Sequence, residues 1–236
     1  MKNDLKLKEW NESYERKENF MFYPKEESVK FINRFVRKRI GTNEFIDILG
    51  KSEIKGLDFG CGIGAQTILM HEFGIEAYGI DISNEAINKA KEIAIAKGYP
   101  DLAGRFLIYD GENIPFENDF FDICIAEGVL DSMYFDLAKK CIKEIERVVK
   151  NLVFISLISG DDHKHYREYC EDEIVEEQHE RGTVQSYYNF TKINKLIEGT
   201  SFKIIWCRLM QEIGVDHKYK YGRYHLVLKK CSQNEY

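Results

Sequence analysis

Residues 57–67, LDFGCGIGAQT, place three glycines at every second position directly after a short apolar run. Glycine loses more conformational entropy on folding than any other residue, so this density indicates a backbone that must turn sharply or lie close to something else. A tight strand-to-helix turn with no ligand would also explain it. An acid, Asp58, lies two residues before the first glycine. The neighbouring segments must decide between the two interpretations.

Apolar runs and helical patterns alternate on the C-terminal side of this stretch. The runs IEAYGIDI, RFLIYD, FDICIAEG and LVFISLIS are typical of buried strands. Helical patterns separate them, and Ser83 is placed to cap the helix NEAINKAKEIAIAKG. Alternation at this pitch favours right-handed crossovers and a mostly parallel, doubly wound α/β sheet. Two last runs, FKIIWCRLM and YHLVLKK, are spaced to pair as an antiparallel hairpin at the sheet edge.

Two segments differ from this alternation. Residues 25–40 carry an apolar stripe that predicts one helix ending before Gly41, and the polar segment before it contains aromatic residues. We predict that residues 1–40 form a helical lid, with ordinary packing of the first helix as the alternative. The aromatic residues concerned are Trp10, Tyr14, Phe20, Phe22 and Tyr23.

The second such segment follows the fifth predicted strand. From Gly160 the sequence becomes polar, and residues 160–190 are predicted to form a small cap. Neither a repeat nor an interdomain linker is evident, so residues 1–236 are predicted to form a single domain.

Composition narrows the class of protein. The net charge is −6, which argues against wholesale nucleic-acid binding, although RFVRKRI at residues 34–40 is locally basic. The six cysteines are scattered with no C-x-x-C pair, so neither a metal site nor a disulfide framework is indicated. No run approaches the roughly 18 apolar residues of a membrane span, and the charged N-terminus lacks the apolar core of a secretory signal. We expect a cytoplasmic protein with no membrane or nucleic-acid partner and no metal.

Three acids stand at or just inside the ends of successive predicted strands: Asp58, Asp81 and Asp110. Ligands of open α/β sheets bind beyond those strand ends, so the three acids are expected to share one crevice. Asp81 lies 23 positions after Asp58, and an acid about 20 residues beyond a glycine turn suits ribose hydroxyls. The spacing G-x-G-x-G differs from the dinucleotide pattern G-x-G-x-x-G. An acid before it would repel a pyrophosphate but tolerate a cationic ligand.

Four ordered motifs carry a family resemblance: DFGCGIG at 58–64, GIDIS at 79–83, YDGENIPFENDFFD at 109–122 and AEGVLDSM at 126–133. Together they resemble the class I S-adenosylmethionine-dependent methyltransferases. The resemblance implies a Rossmann-like, seven-stranded, mostly parallel sheet with an antiparallel C-terminal strand. It also implies S-adenosylmethionine as cofactor and S-adenosylhomocysteine as product.

The resemblance assigns the cofactor-binding residues. The glycine turn would lie against the methionine and ribose portions, Asp58 would orient that turn and the ligand's amino group, and Asp81 would accept both ribose hydroxyls. Asp110 would accept from the adenine amine, and Glu127 would border the amino-acid end. The remaining assigned residues are Gly60, Cys61, Gly62 and Gly64 in the turn, Ile82 against the adenine, and Gly111 and Glu112 at the rim.

The acceptor is predicted to be a small molecule, through an oxygen of a sugar, phosphoryl or carboxylate-bearing metabolite. The cap resembles those of small methyltransferases from bacterial surface-polysaccharide gene clusters. Candidate proton acceptors are His163, His165 and His179. Candidate acceptor-binding residues are Tyr23, Asp131, Tyr166, Arg167, Tyr187 and Tyr188. A carboxylate such as Asp131 or Glu127 is the alternative base.

Two other functions stay open at this point. One is a nucleic-acid methyltransferase that uses the basic helix of residues 34–40. The other is a nicotinamide-dependent oxidoreductase, which the glycine spacing disfavours. The choice between O- and N-methylation and the oligomeric state are not determined by the sequence.

Overall fold

A computed structural model describes residues 2–20, 22–160, 172–216 and 219–231 of the chain. The strands in these ranges are β1 (Arg37–Arg39), β2 (Phe45–Asp47), β3 (Lys55–Phe59), β4 (Glu76–Asp81), β5 (Phe106–Ile108), β6 (Phe121–Glu127), β7 (Val149–Ile158), β8 (Asp172–Ile174), β9 (Val184–Ser186), β10 (Phe202–Ile213) and β11 (Tyr219–Lys230). The helices are α1 (Lys2–Glu15), α2 (Glu26–Phe31), α3 (Ala65–Glu72), α4 (Asn84–Ala96), α5 (Pro100–Ala103), α6 (Phe135–Val148) and α7 (Phe190–Ile197). A π-helical segment, Ile32–Val36, directly follows α2.

Seven strands form the central sheet, in the order β5-β4-β3-β6-β7-β11-β10. Strands β3 to β7 run parallel to one another, whereas β11 is antiparallel to both β7 and β10. The order reverses beside β3, because β4 and β5 lie on one side of it and β6 and β7 on the other. The Rossmann-like, mostly parallel sheet with an antiparallel C-terminal strand is therefore confirmed.

The side chains of each buried strand alternate between two hydrophobic layers. In β6, Ile123 and Ile125 pack with α3 and α4, while Cys124 and Ala126 pack with α6 and α7. All four are fully buried. Covering both faces of a parallel sheet with helices explains why the sequence of this strand is continuously apolar instead of alternating. Since helices cover both faces of the sheet, the polar ends of the strands are where a ligand can reach it.

The single helix predicted over residues 25–40 is wrong at its C-terminal end. The helical path stops at Val36, and Arg37 takes an extended backbone with φ −153° and ψ 120°. Its buried guanidinium donates to Asp47 Oδ1 at 2.5 Å and to the carbonyls of Phe73 and Gly74 at 3.2 and 2.9 Å. These tertiary hydrogen bonds outweigh the local helical pattern. The basic run is consequently divided between a helix and a strand.

The described part of the predicted cap, residues 172–190, contains a small antiparallel ribbon of β8 and β9. Asn189 caps the helix that follows, because its side chain accepts from the N–H of Lys192 at 2.8 Å. Ser83 caps α4 as predicted and accepts from the N–H of Ala86 at 3.2 Å.

Gly64, at the start of α3, provides a test of the packing between helices and sheet. Its φ is +87°, and a Cβ there would lie 2.8 Å from two ring carbons of buried Phe106. Gly98 has a similar φ, +85°, with nothing within 4 Å of its Cβ position. We expect Gly98→Ala to lower the free energy of unfolding by about 1–2 kcal/mol through backbone strain alone. Gly64→Ala should lower it by about 1–3 kcal/mol more, through overpacking.

Urea unfolding of both variants at one pH measures the difference. Equal losses of stability would contradict the proposed contact between the α3 N-terminus and Phe106.

Candidate functional site

A cavity of about 400 Å³ opens at the carboxyl ends of the parallel strands, where the strand order reverses. The glycine turn, the ends of β4, β5 and β6, and helix α1 form its walls. Of the predicted cofactor and acceptor residues, the cavity is lined by Tyr23, Gly60, Cys61, Gly62, Asp81, Ile82, Asp110, Gly111 and Glu127. This edge of the sheet is where open α/β folds bind their ligands.

Asp81, the last residue of β4, is held rigidly at the cavity floor. Its Oδ2 accepts from the N–H of Gly62 at 2.9 Å, and its Oδ1 accepts from the N–H of Ser83 at 2.8 Å. Burial raises the pKa of this carboxyl, and the backbone donors oppose that effect. Each carboxylate oxygen can accept more than one hydrogen bond, so Asp81 keeps acceptor capacity for two ligand hydroxyls.

The glycine turn lies directly beneath the N-terminal helix. Gly62 has φ +51°, and a Cβ there would be 2.7 Å from the Tyr14 hydroxyl oxygen of α1. At Gly60 a Cβ would be 2.5 Å from a methyl group of Val129. Gly64 does not line the cavity, since its contact is with Phe106. The turn therefore needs glycine for protein contacts as well as for access to the cavity.

Asp58 lies behind the turn and does not line the cavity. Its Oδ2 accepts from the hydroxyl of Thr67 in α3 at 2.7 Å. Burial raises the pKa of Asp58 to about 7, the hydrogen bonds from Thr67 oppose this, and the negative charges of Asp81 and Glu127 add to it. This position fits the predicted role in orienting the turn. Asp58 exposes no surface to the cavity, so the predicted contact with a ligand's amino group has no support from its position.

Asp110 lines the cavity at its exposed rim. Its carboxylate accepts from the N–H groups of Asn113 and Glu112 at 2.7 and 2.8 Å, and these hydrogen bonds lower its pKa. Glu112 itself lies outside the cavity lining. A carboxylate occupied in this way still has lone pairs for one external amine.

Glu127 ends β6 on the opposite side of the glycine turn from Asp81. Its Oε1 accepts from the Ser156 hydroxyl at 2.9 Å, while its buried Oε2 makes no hydrogen bond to any described residue. Burial raises the pKa of Glu127, and the charge of Arg223 opposes the rise. Of the described cavity residues, it is the carboxylate with an unused buried oxygen.

Asp131 belongs to a polar network behind the cavity instead of lining it. Its Oδ2 accepts from Arg223 Nη2 at 2.6 Å and from the N–H of Ile158 at 2.7 Å. Arg223 Nε donates to Ser156 at 2.9 Å, so one guanidinium connects Asp131 to the Ser156–Glu127 pair. A buried ion pair with these extra hydrogen bonds is the arrangement in which buried charges are tolerated.

The remaining predicted acceptor residues divide into three groups. Tyr187 and Tyr188 are fully buried in the core, where their hydroxyls donate to Gln185 Oε1 at 2.9 Å and to the carbonyl of Leu130 at 3.1 Å. The His179 side chain is 61% exposed and does not line the cavity. The last group lies outside the described residues: His163, His165, Tyr166 and Arg167.

Several cavity residues were missed by the sequence reasoning. Val129, Met133 and Leu137 form an apolar wall. Val129 and Met133 lie in the turn between β6 and α6, directly after a strand end, and that position is the signal that could have been used. Lys25 and Glu180 also line the cavity, but neither has a sequence signal, because each lies in a loop whose course depends on tertiary packing.

Charge in the cavity is predominantly negative. Asp81, Asp110, Glu127 and Glu180 contribute carboxylates to the lining, against the single ammonium of Lys25 among the described residues. Carboxylates converging on one cleft raise the local concentration of cations and disfavour anionic ligands. The cavity is therefore suited to a ligand that carries positive charge.

In the described ranges, no group of three or more His, Cys, Asp or Glu side chains is arranged to hold a metal ion. No helix there is both long and apolar enough to cross a bilayer.

The raised pKa of Asp58 gives a stability prediction with a defined sign. Well below pH 3.8, the ordinary pKa of an aspartate, the carboxyl is neutral in both the folded and the unfolded chain. As the pH rises towards 7 the unfolded chain ionises first, so Asp58 reduces stability progressively over that interval. We expect the melting temperature of Asp58→Asn relative to wild type to improve as the pH is raised from 4 to 8. Melting curves that stay parallel across this range would contradict the assignment.

Comparison with known proteins agrees with this geometry. A family model described as a methyltransferase domain matches residues 50–219. Sterol 4-C-methyltransferase strm-1 of Caenorhabditis elegans is 26% identical over 164 residues, which are 63% of this chain and 46% of that protein. The chain covers less than half the length of this protein and of two other curated relatives.

Solved structures share the fold. A SAM-dependent methyltransferase from Methanosarcina mazei aligns with a TM-score of 0.63 and 20% identity, over 78% of this chain and 95% of that one. Magnesium protoporphyrin IX methyltransferase from Synechocystis PCC 6803, solved with bound SAM, aligns with a TM-score of 0.55 and 17% identity, over 76% and 71% of the two chains. Since the family model covers more than two thirds of the sequence, the chain belongs to the class I S-adenosylmethionine-dependent methyltransferase family.

Proposed function

We propose that the protein transfers a methyl group from S-adenosylmethionine to a small-molecule acceptor. The observation that carries this proposal is the Asp81 carboxylate, fixed by the N–H groups of Gly62 and Ser83 in a cavity with excess negative charge. A carboxylate fixed there suits the two hydroxyls of a ribose, and the charge suits a sulfonium. A pyrophosphate, as in nicotinamide dinucleotides, would be repelled by the same carboxylates.

The other cavity residues fit the rest of this cofactor. Ile82 and the wall of Val129, Met133 and Leu137 offer apolar surface for an adenine. Lys25 would hold the carboxylate of the amino-acid end. When bound, S-adenosylmethionine supplies a methyl group already activated by the sulfonium. The chain's own residues then have only to orient the acceptor, exclude water and remove a proton where the acceptor needs it.

The size of the cavity favours a small acceptor. Its volume of about 400 Å³ lies near the lower end of ligand pockets, roughly 300–1,000 Å³, and the cofactor must share it. The acceptor we propose is an oxygen of a sugar, phosphoryl or carboxylate-bearing metabolite, such as a surface-polysaccharide precursor. The sequence resemblance of the cap supports this choice. The nucleic-acid alternative is disfavoured because Arg37 is buried and the basic run does not form one exposed helical face.

For the proton of a hydroxyl acceptor, we propose Glu127 as the receiving group. It lines the cavity, has an unused buried oxygen, and its raised pKa moves it towards the range of an effective general base. Ser156 fixes its other oxygen. His179 is placed less well, since its side chain is mostly exposed and lies outside the cavity lining.

The lid that we propose over the cofactor is helix α1. Leu7, Trp10 and Tyr14 line the cavity from above. Two hydrogen bonds hold this segment down: Ser83 donates to Asn11 Oδ1 at 2.6 Å, and the N–H of Glu180 donates to Glu18 Oε2 at 2.9 Å. We propose that entry of the cofactor requires these contacts to open.

The function is tested by measuring S-adenosylhomocysteine release with a panel of sugars, sugar phosphates, amines, phenols and carboxylates. With an active hydroxyl acceptor, Glu127→Gln should lower turnover by about 10²–10⁴-fold, the usual loss when a general base is removed. Matched variants are His163→Ala, His165→Ala and His179→Ala. Full turnover in Glu127→Gln together with a loss in one histidine variant would place the base in the cap.

Asp81→Ala tests the cofactor site directly. Hydrogen bonds to a charged group contribute roughly 1.5–3 kcal/mol, so S-adenosylmethionine affinity should fall by about 10- to 150-fold. Asp110→Ala should have a smaller effect, because this carboxylate is exposed and water can replace it. Calorimetric titration of both variants measures the ranking. Unchanged affinity in Asp81→Ala would refute the ribose assignment.

The lid is tested by introducing a steric clash with Gly62→Ala and then removing it with a second substitution, Tyr14→Phe. In Gly62→Ala the new Cβ meets the Tyr14 hydroxyl, and overpacking of about 1–3 kcal/mol should weaken cofactor binding about 5- to 150-fold. Adding Tyr14→Phe removes that oxygen and leaves the nearest ring carbon at an ordinary 3.6 Å, so affinity should partly recover. Tyr14→Phe alone is the control. Failure of the double variant to recover would show that α1 does not cover the turn in solution.

A further inference from the structure

A second cavity, of about 450 Å³, lies outside the site described above. It is enclosed by α2, the π-helical segment and β1 on one side and by β7, β10 and β11 on the other. None of its lining residues belongs to the proposed cofactor cavity. A ligand in this cavity would therefore not compete with S-adenosylmethionine for space.

The floor of this groove is aromatic and its rim is cationic. Phe31, Phe154 and Trp206 are among the floor residues, and Phe31 stacks on Phe154 with ring centroids 5.3 Å apart. Phe35 lies beside Trp206 at 6.3 Å. The rim carries Lys30, Arg34, Lys38 and Arg208, against the single lining carboxylate of Glu27. The groove thus combines apolar surface with an excess of positive charge.

Three of these cations are not neutralised by carboxylates of the described residues. Lys30 pairs with Glu26 and Glu27 at 2.9 and 2.6 Å, whereas Arg34, Lys38 and Arg208 make no ion pair there. The chain as a whole has 40 acidic and 34 basic residues. A cluster of unpaired cations at one groove reverses that balance locally, and such a cluster attracts anions.

Arg34 is also held in place over the aromatic floor. Its guanidinium carbon lies 5.2 Å from the Phe35 ring centroid and 5.8 Å from that of Trp206. Contacts of this kind orient a guanidinium through its flat face and leave the N–H groups at its edge for a ligand. Arginine in this setting suits bidentate binding of phosphate or carboxylate oxygens.

A buried histidine, His225, lies behind the aromatic floor and has an unsatisfied ring nitrogen. His225 is 6% exposed and its ring lies parallel to Phe154, with centroids 6.1 Å apart and an interplanar angle of 9°. Its Nδ1 has no hydrogen-bond partner in the described structure. Burial lowers the pKa of His225 to about 4; the charge of Glu27 opposes this effect, and the charges of Arg223, Arg208 and Lys30 add to it. An anion at the rim would reduce this accumulation of positive charge.

We propose that the groove is a second binding site, for a small aromatic anion whose phosphate or carboxylate meets Arg34, Lys38 and Arg208 while its ring lies on the aromatic floor. A volume of about 450 Å³ suits one small molecule better than a polymer. Arg37 and Arg39 of the same basic run bind carbonyl groups of this chain, so the rim does not continue as a basic stripe.

The two tryptophans of the chain allow a local measurement, because Trp10 lines the other cavity and Trp206 lines this one. In a Trp10→Phe background, phenyl phosphate should change Trp206 fluorescence saturably, and the neutral benzyl alcohol should bind more weakly. Arg34→Glu and Arg208→Glu should each weaken phenyl phosphate binding by about tenfold or more, as expected for a lost hydrogen bond to a charged group.

Lys195→Glu, at an exposed position of α7, is the matched control: it makes the same change of charge outside the groove and should leave phenyl phosphate affinity unchanged. Within the Trp10→Phe background, S-adenosylmethionine affinity should be the same with and without Arg34→Glu, Arg208→Glu and Lys195→Glu, so failure of this proposal and failure of the proposed function are distinguishable. The proposal is overturned if phenyl phosphate gives no saturable change, or if its affinity is the same in wild type, Arg34→Glu and Arg208→Glu.

Discussion

The hydrogen bonds from Gly62 and Ser83 to Asp81 are the constraint on which the site depends. They join the turn after β3 to the end of β4, so one carboxylate sets the distance between two walls of the cavity. Burial of that carboxylate is unfavourable without compensation, and two backbone donors supply part of it. The geometry of the cofactor site therefore follows from satisfying one buried acid.

The same logic extends to the other buried acids around the turn. Asp58 is paired with Thr67, and Glu127 is connected through Ser156 to Arg223. Burial raises the pKa of both acids. At Asp58 the negative charges of Asp81 and Glu127 raise the pKa further. A cationic ligand in the cavity would relieve that repulsion. The arrangement that lowers the stability of the folded chain as these acids ionise is thus one that would favour a cationic ligand.

Features set by local pattern could be predicted from the sequence. The alternation of apolar strands with helices predicted the sheet. Asp81 could be predicted as a cavity residue because it ends a parallel strand, and the ends of parallel strands meet at one edge of the sheet. Tertiary contacts account for what was not predicted. Arg37 leaves the helical path to reach three distant partners, and Lys25 enters the cavity only because of the course of the chain after α1. The pair Tyr14–Gly62 likewise requires α1 to be docked.

The central claim is that this cavity binds S-adenosylmethionine and not a dinucleotide. Isothermal titration of the full chain with S-adenosylmethionine, and separately with NAD⁺ and NADP⁺, tests it most directly. We expect one S-adenosylmethionine bound per chain, displaced by S-adenosylhomocysteine, with no heat from either dinucleotide. Saturable binding of NAD⁺ or NADP⁺ without binding of S-adenosylmethionine would contradict it.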